Sequence, residues 1–324
     1  VLSAIQDHLE WVARTSPPTN CHGLIQTIAK YRRIPEQCVL PGGGSSDLIF
    51  LAMRHFLNKN SKVLILDPTY GEYSHVCERV IQCEVTYFQL YRKNNFQVDT
   101  DALVKMLISQ SYDMVVMVNP NSPTGQYLDR PALINAIENV SKDTLFWIDE
   151  TYIEYVGSGF SLEEFSTKMD NVIVCKSMSK VYALSGLRVA YLSAAAHIVQ
   201  QLRLISPPWS VSLPGQIAAI YALSDPEYYL EKYQQTKDSA KFLYQELVKL
   251  GCDVVPGVAN FLLMFLPTDG ITAAEFVEKA QAKGVYLRNA ENMGIHLNQY
   301  AVRVAVKSPE DNRKMLYTIK QLLL

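Results

Sequence analysis

Short apolar runs alternate with amphipathic stretches through the first two-thirds of the chain. Helical periodicity over 46–58 leads to the strand-like run VLIL at 63–66, and 71–80 leads to EVTYF at 84–88. The stretch 101–109 leads to MVVMV at 114–118, and 130–140 leads to TLFWI at 144–148. VIVC at 172–175 and LRVAYL at 187–192 complete the series. Runs this continuously apolar are buried on both faces, and their alternation with helices predicts a mostly parallel sheet wrapped by helices. The predicted fold class is α/β.

From about residue 225 the pattern changes. One long helical stretch, DPEYYLEKYQQTKDSAKFLYQELVKLG, is closed by Gly251 and followed by the candidate strands VANFLLMFL, GVYLR and YAVRVAV. The last helix opens on Ser308, Pro309 and Asp311 in capping-box order. These features predict a smaller α+β domain over 224–324, a large domain over 33–223, and an N-terminal helical segment, 1–32, that joins the smaller one.

Composition narrows the function classes. Thirty Lys and Arg against 32 Asp and Glu leave a formal charge of −2, which disfavours a nucleic-acid partner or an acidic membrane surface. With 48% hydrophobic and 19% charged residues, the chain has the material for a large core. No apolar run approaches the roughly 18 residues a membrane helix requires. The opening VLSAIQDHLEW carries no basic segment followed by a continuous apolar one. Six cysteines without a C-x-x-C pair read as small buried hydrophobes, so the expected setting is reducing and cytoplasmic.

Five segments could carry chemistry. PGGGSSD at 41–47 is a glycine-rich turn entering a helix, suited to a phosphate, with Gly44, Ser45 and Ser46 at its mouth. A plain capped turn would use the same residues. So would a nicotinamide site, because Asp67 ends a strand about 20 residues on; Asp47, however, falls where the third glycine of that motif belongs. PTYGEY at 68–73 puts Tyr70 just beyond a buried strand, able to stack on a planar ring or simply to fill space. NPNSPTG at 119–125 presents Asn121 and Ser122 from a proline-stiffened loop.

The strand LFWID runs straight into Asp149, a carboxylate that needs a cation or a ring N–H if it is buried, or else caps the turn that follows. In VCKSMSKVYALSGLR, Lys180 follows a buried strand and sits among small residues, with Arg188 eight positions on. Shielding from water beside other cations would lower its pKa and free a nucleophilic amine. Arg303, inside VRVAV, is a guanidinium in an apolar strand and calls for an anion, either an internal ion-pair partner or a substrate.

In this order the motifs resemble those of fold-type-I pyridoxal-phosphate enzymes, and the chain is similar over nearly its whole length to the histidinol-phosphate aminotransferase and threonine-phosphate decarboxylase group. The resemblance implies pyridoxal 5'-phosphate as cofactor, an internal aldimine on Lys180, and Asp149 on the pyridinium N–H. It implies Tyr70 stacked on the ring and Tyr152 on the ring hydroxyl. Ser45, Ser46, Ser177, Ser179 and Arg188 match phosphate-binding positions, and Arg303 matches the arginine that grips the substrate's carboxylate or phosphate. It also implies a homodimer acting on a small amino-acid-like molecule.

Three departures stand out. Ser122 replaces the family's second loop asparagine, leaving Asn121 or Tyr152 to compensate. Ser16 replaces a tyrosine that reaches the neighbouring subunit's phosphate. The family's N-terminal arm would precede Val1. The expected activity is transamination of an amino acid or amino-alcohol phosphate. The alternatives are a lyase, decarboxylase or amino-acid cyclase on the same cofactor, and a nicotinamide-dependent oxidoreductase.

Overall fold

The computed structural model describes residues 1–323, and in it the apolar runs form a seven-stranded sheet. Its strands are β1 (Val39–Gly42), β2 (Lys62–Asp67), β3 (Glu84–Gln89), β4 (Met114–Val118), β5 (Leu145–Asp149), β6 (Val172–Ser177) and β7 (Ala190–Ser193). The spatial order is β1-β7-β6-β5-β4-β2-β3. Only β7 runs against its neighbours, β1 and β6; every other pair is parallel.

Register decides where the chemistry lies. Val118 pairs with Asp149, Asp149 with Cys175, Ser177 with Ala190, and Ala190 with Gly42. The C-terminal ends of β1, β4, β5 and β6 therefore open on one edge, the edge where open α/β sheets bind ligands.

Both faces of the sheet are covered. Ile65, Val116, Trp147 and Ile173 meet the helices Ser45–Phe56 and Ala196–Ile205. Leu64, Val115, Phe146 and Ile148 meet the helices Thr100–Ser109 and Arg130–Glu138. Burial on both sides is why these strands are written in uninterrupted apolar residues.

A second, antiparallel sheet orders β8 (Asp253–Val255), β9 (Phe261–Phe265), β10 (Arg288–Asn289) and β11 (Ala301–Ala305) as β10-β11-β9-β8. Strand β9 alternates between two cores. Leu263 and Phe265 join the core beneath the large sheet, while Leu262 and Met264 join Leu243 and Leu247 of the helix Pro226–Lys249 and Ile319 of the last helix. This period-two division places the second sheet against the first. At the N-terminal end of the chain, the helix His22–Arg32 buries Leu24, Ile25 and Ile28 with Val39 of β1 and Ala218 and Ala219 of the helix Leu213–Leu223.

Three expected elements differ. The stretch 71–80 is helical, but only Glu72–Ser74 is α; His75–Ile81 winds as a π-helix, with Tyr73, Val76 and Cys77 fully buried. GVYLR pairs only at Arg288–Asn289. The Val285 N–H closes on Ala280 O beside the left-handed Gly284, finishing the preceding helix before the ladder can start. Pro41 and Gly42, expected in the turn, end β1, so the turn is reduced to Gly43 and Gly44.

Candidate active site

Most candidate side chains lie just beyond the ends of strands of the large sheet, while Arg303 comes from the middle of β11. Where β1 stops, Gly44 takes φ +102 and the helix Ser45–Phe56 begins. A Cβ on Gly44 would collide with the Arg188 guanidinium, so the backbone there is shaped to the cation. The Asp47 carboxylate turns back to accept the Gly43 N–H at 2.8 Å. Where β2 stops, Asp67 Oδ2 accepts the Ile295 N–H at 3.1 Å. The acidic group a nicotinamide site would offer to a ribose is thus engaged in fastening a loop.

Beyond β6, the short helix Met178–Val181 carries Ser179 and Lys180, with the Ser177 hydroxyl accepting the Ser179 N–H at 3.4 Å. Arg188, itself left-handed at φ +52, donates from Nη1 to Ser185 O at 3.3 Å and Ser179 Oγ at 3.5 Å. Two serines at a helix start, and a serine with an arginine, therefore line one cavity beside the Gly44 turn.

Asp149 is 4% exposed at the end of β5. Its Oδ1 accepts the Thr151 N–H at 2.9 Å and the Thr151 hydroxyl at 2.6 Å, and its Oδ2 accepts the Tyr73 hydroxyl at 2.7 Å. Trp147 Nε1 donates to the same Tyr73 oxygen at 2.8 Å. Burial pushes the Asp149 pKa up, opposed by these hydrogen bonds and by the Lys176 charge.

Arg303, on β11, donates to Ser122 Oγ at 3.0 Å and lies 5.1 Å from the centre of the Phe261 ring. Burial pushes Tyr152, beside it, up to about 12, with Arg303 pulling the other way.

A cavity of about 160 Å³ joins these groups. Ser45, Ser46 and Tyr70 line it with Ser122, Asp149 and Tyr152, and so do Ser177, Ser179, Lys180, Arg188 and Arg303. Val118 and Thr151 complete the wall. Of the expected residues, Gly44 contributes through its backbone turn, and Asn121 is absent from the wall. The Asn121 amide is used up within the loops, donating to Pro68 O at 2.8 Å and accepting from Thr69 Oγ1 at 2.7 Å. It cannot compensate for Ser122 from there.

Lys180 also corrects an expectation. It shares the cavity with Asp149, but it stands at the mouth as an exposed residue rather than shielded from water. Partial desolvation, then the charges of Arg303 and Arg188, still hold its pKa below the usual lysine range.

Sequence reasoning missed Tyr73 and Thr151, which hold Asp149, and Trp147, which holds Tyr73. It also missed a buried ion cluster behind the cavity. Lys176 Nζ lies 2.8 Å from Glu154, 3.3 Å from Glu150 and 3.6 Å from Glu163, and Arg32 Nη2 lies 2.7 Å from Glu154. The signal was present: Lys176 interrupts an apolar strand just as Arg303 does.

Residues 4–319 match the family described as aminotransferase class I and II. The chain belongs to that family. A histidinol-phosphate aminotransferase of Methanococcus aeolicus is 29% identical over 302 residues, covering 93% of this chain and 80% of that protein. The crystal structure of histidinol-phosphate aminotransferase from Sinorhizobium meliloti in complex with pyridoxal-5'-phosphate superposes with a TM-score of 0.90 at 19% identity, over 99% of this chain and 86% of the other. L-threonine-O-3-phosphate decarboxylase from Porphyromonas gingivalis superposes with a TM-score of 0.83 at 22% identity, over 98% and 96%. At these identities the two structures speak for the fold alone.

The protein is a pyridoxal-phosphate-dependent aminotransferase. The donor set fits that cofactor: hydroxyls and a guanidinium beside a Gly44 turn that a side chain would block, a buried carboxylate, and an amine on the same cavity.

Proposed function

We propose that this aminotransferase exchanges the amino group of a phosphate-bearing amino acid or amino alcohol with an oxo acid, and that Lys180 is the amine that anchors the cofactor. The observation carrying this reading is the convergence of Lys180, Asp149 and Arg188 on one cavity that Arg303 enters from a different sheet. When bound, the cofactor's pyridine ring supplies a sink for the electron pair left at the substrate Cα.

The remaining work falls to the protein. Ser45, Ser46, Ser177, Ser179 and Arg188 hold the phosphate, Gly44 giving the room, and Asp149 holds the ring N–H. Tyr70 covers the ring, while Tyr152 serves its hydroxyl in place of the asparagine that Ser122 replaces. Lys180 Nζ, with its pKa lowered, would take and hold the proton released from the substrate Cα. Arg303, held by Ser122, supplies a permanent cation for the substrate's carboxylate or phosphate.

We read residues 33–223 as the unit that holds the cofactor and 224–324 as the unit that brings Arg303. Exposed Leu204, Ile205 and Trp209 support a homodimer, and six free, buried cysteines fit a reducing, cytoplasmic setting.

Purified protein should be yellow and bleach with borohydride, and Lys180→Ala should lose both behaviours. Histidinol phosphate, named for the Methanococcus relative, is the first amine to assay, with 2-oxoglutarate as acceptor. Glutamate formation is the expected result. Carbon dioxide or a cyclised product appearing without an oxo acid would replace transamination with lyase chemistry.

A further inference from the structure

We propose that Glu72 sets how tightly the cofactor phosphate is held, by drawing the Ser46 hydroxyl proton to itself and by standing as a fixed negative charge at the edge of the phosphate cradle. The proposal rests on the reading above that Ser45, Ser46, Ser179 and Arg188 form that cradle.

Glu72 opens the helical turn after Tyr70 and reaches Ser46 at the start of the helix Ser45–Phe56. Its Oε2 accepts the Ser46 hydroxyl at 2.9 Å and the Tyr70 hydroxyl at 2.6 Å. Both donors line the cofactor cavity. Among the described residues Glu72 forms no ion pair, so its charge is not offset by a contacting cation.

A serine hydroxyl has one hydrogen to give. Given to Glu72, it is not available to a phosphate oxygen, and the phosphate meets only the lone pairs of Ser46. A phosphate monoester carries close to two negative charges at neutral pH, and Glu72 would stand one hydroxyl away from a phosphate oxygen bound at Ser46. Coulomb repulsion at that range is substantial in a partly desolvated site. Glu72 thus holds Tyr70 through one hydrogen bond and weakens the grip of the neighbouring serine through the other.

Glu72→Gln removes the charge while keeping an acceptor oxygen for Tyr70 and Ser46, one that draws their protons less strongly than a carboxylate does. Release of cofactor from the holoenzyme, followed by its visible absorbance after dilution, should slow by about fivefold or more in this variant. The full chain stripped of cofactor should bind pyridoxal 5'-phosphate more tightly by a similar factor, while binding pyridoxal, which lacks the phosphate, as the native chain does.

Ser46→Ala should speed release less than about twofold in the native background and about fivefold or more in Glu72→Gln, where a neutral amide oxygen competes less strongly with the phosphate for the hydroxyl proton. Unchanged or faster release in Glu72→Gln, or equal effects of Ser46→Ala in both backgrounds, would overturn the proposal. Arg188→Ala separates the two levels. If it fails to speed release, the cradle itself is misassigned; if it does so while Glu72→Gln is silent, only the role of Glu72 falls.

Discussion

Single residues in this site are tuned by their neighbours more than by their own type. Lys180 is exposed, yet its amine is depressed by partial desolvation together with Arg303 and Arg188. Removing a like charge favours the protonated form, so Arg303→Met should move the Lys180 titration to higher pH. The rate at which cofactor-stripped protein captures pyridoxal phosphate, followed against pH, should show its limb displaced upward; a limb at the native position would exclude Arg303 as a cause. Tyr73 is the second case. It donates to Asp149 and accepts from Trp147. Tyr73→Phe leaves a buried indole N–H without a partner and should cost about 1–3 kcal/mol in urea unfolding, while Asp149, losing a hydrogen bond to its charged form, becomes harder to ionise.

At the scale of elements, the ion cluster ties three segments together behind the site. Arg32 comes from the first long helix, Lys176 from β6, and the carboxylates from the stretch after β5. Burial pushes Glu150 up. For Glu154, burial is outweighed by Lys176 and Arg32, which hold it below the usual range. The signs oppose. The Glu154 contribution is present at neutral pH and is lost as pH falls through its depressed pKa. That of Glu150 is present in acid and is lost as pH rises through its raised pKa. Lys176→Met leaves three buried carboxylates to one cation and should cost about 3–5 kcal/mol at neutral pH. Protonation relieves that excess, so the deficit in urea midpoint should shrink between pH 7 and pH 5. A deficit independent of pH would mean lost packing and not charge.

At the scale of the whole molecule, the site depends on how the two sheets meet. Gly125, after β4, and Gly257, before β9, touch closely enough that a Cβ on either would lie 3.0 Å from the other's Cα. The Val258 N–H donates to Gly125 O at 2.9 Å across the same contact. Ser122 lies three residues before Gly125 in the same loop, and Arg303 from the second sheet donates to it at 3.0 Å. Gly257→Ala should cost about 1–3 kcal/mol of stability and raise the substrate KM more than it lowers kcat. An unchanged KM would show that the Arg303–Ser122 contact survives the displacement.

Much of this was written in the chain itself. Strands buried on both faces can only be written in apolar residues, so VLIL, MVVMV and LFWID announced themselves, and with them the strand ends that carry Asp149 and the approach to Lys180. Three successive glycines before Ser45 likewise marked the tight turn at Gly44 for a local reason. The extent of GVYLR as a strand was not legible, because a backbone N–H taken by the preceding helix is a matter of three-dimensional closure. Neither were the partners of Asp149, the diversion of Asn121 into loop bonds, the Lys176 cluster, or the exposure of Lys180. Local pattern fixes which backbone groups and side chains must be buried. Which polar groups then satisfy one another is settled only when segments distant in sequence are brought within hydrogen-bonding distance.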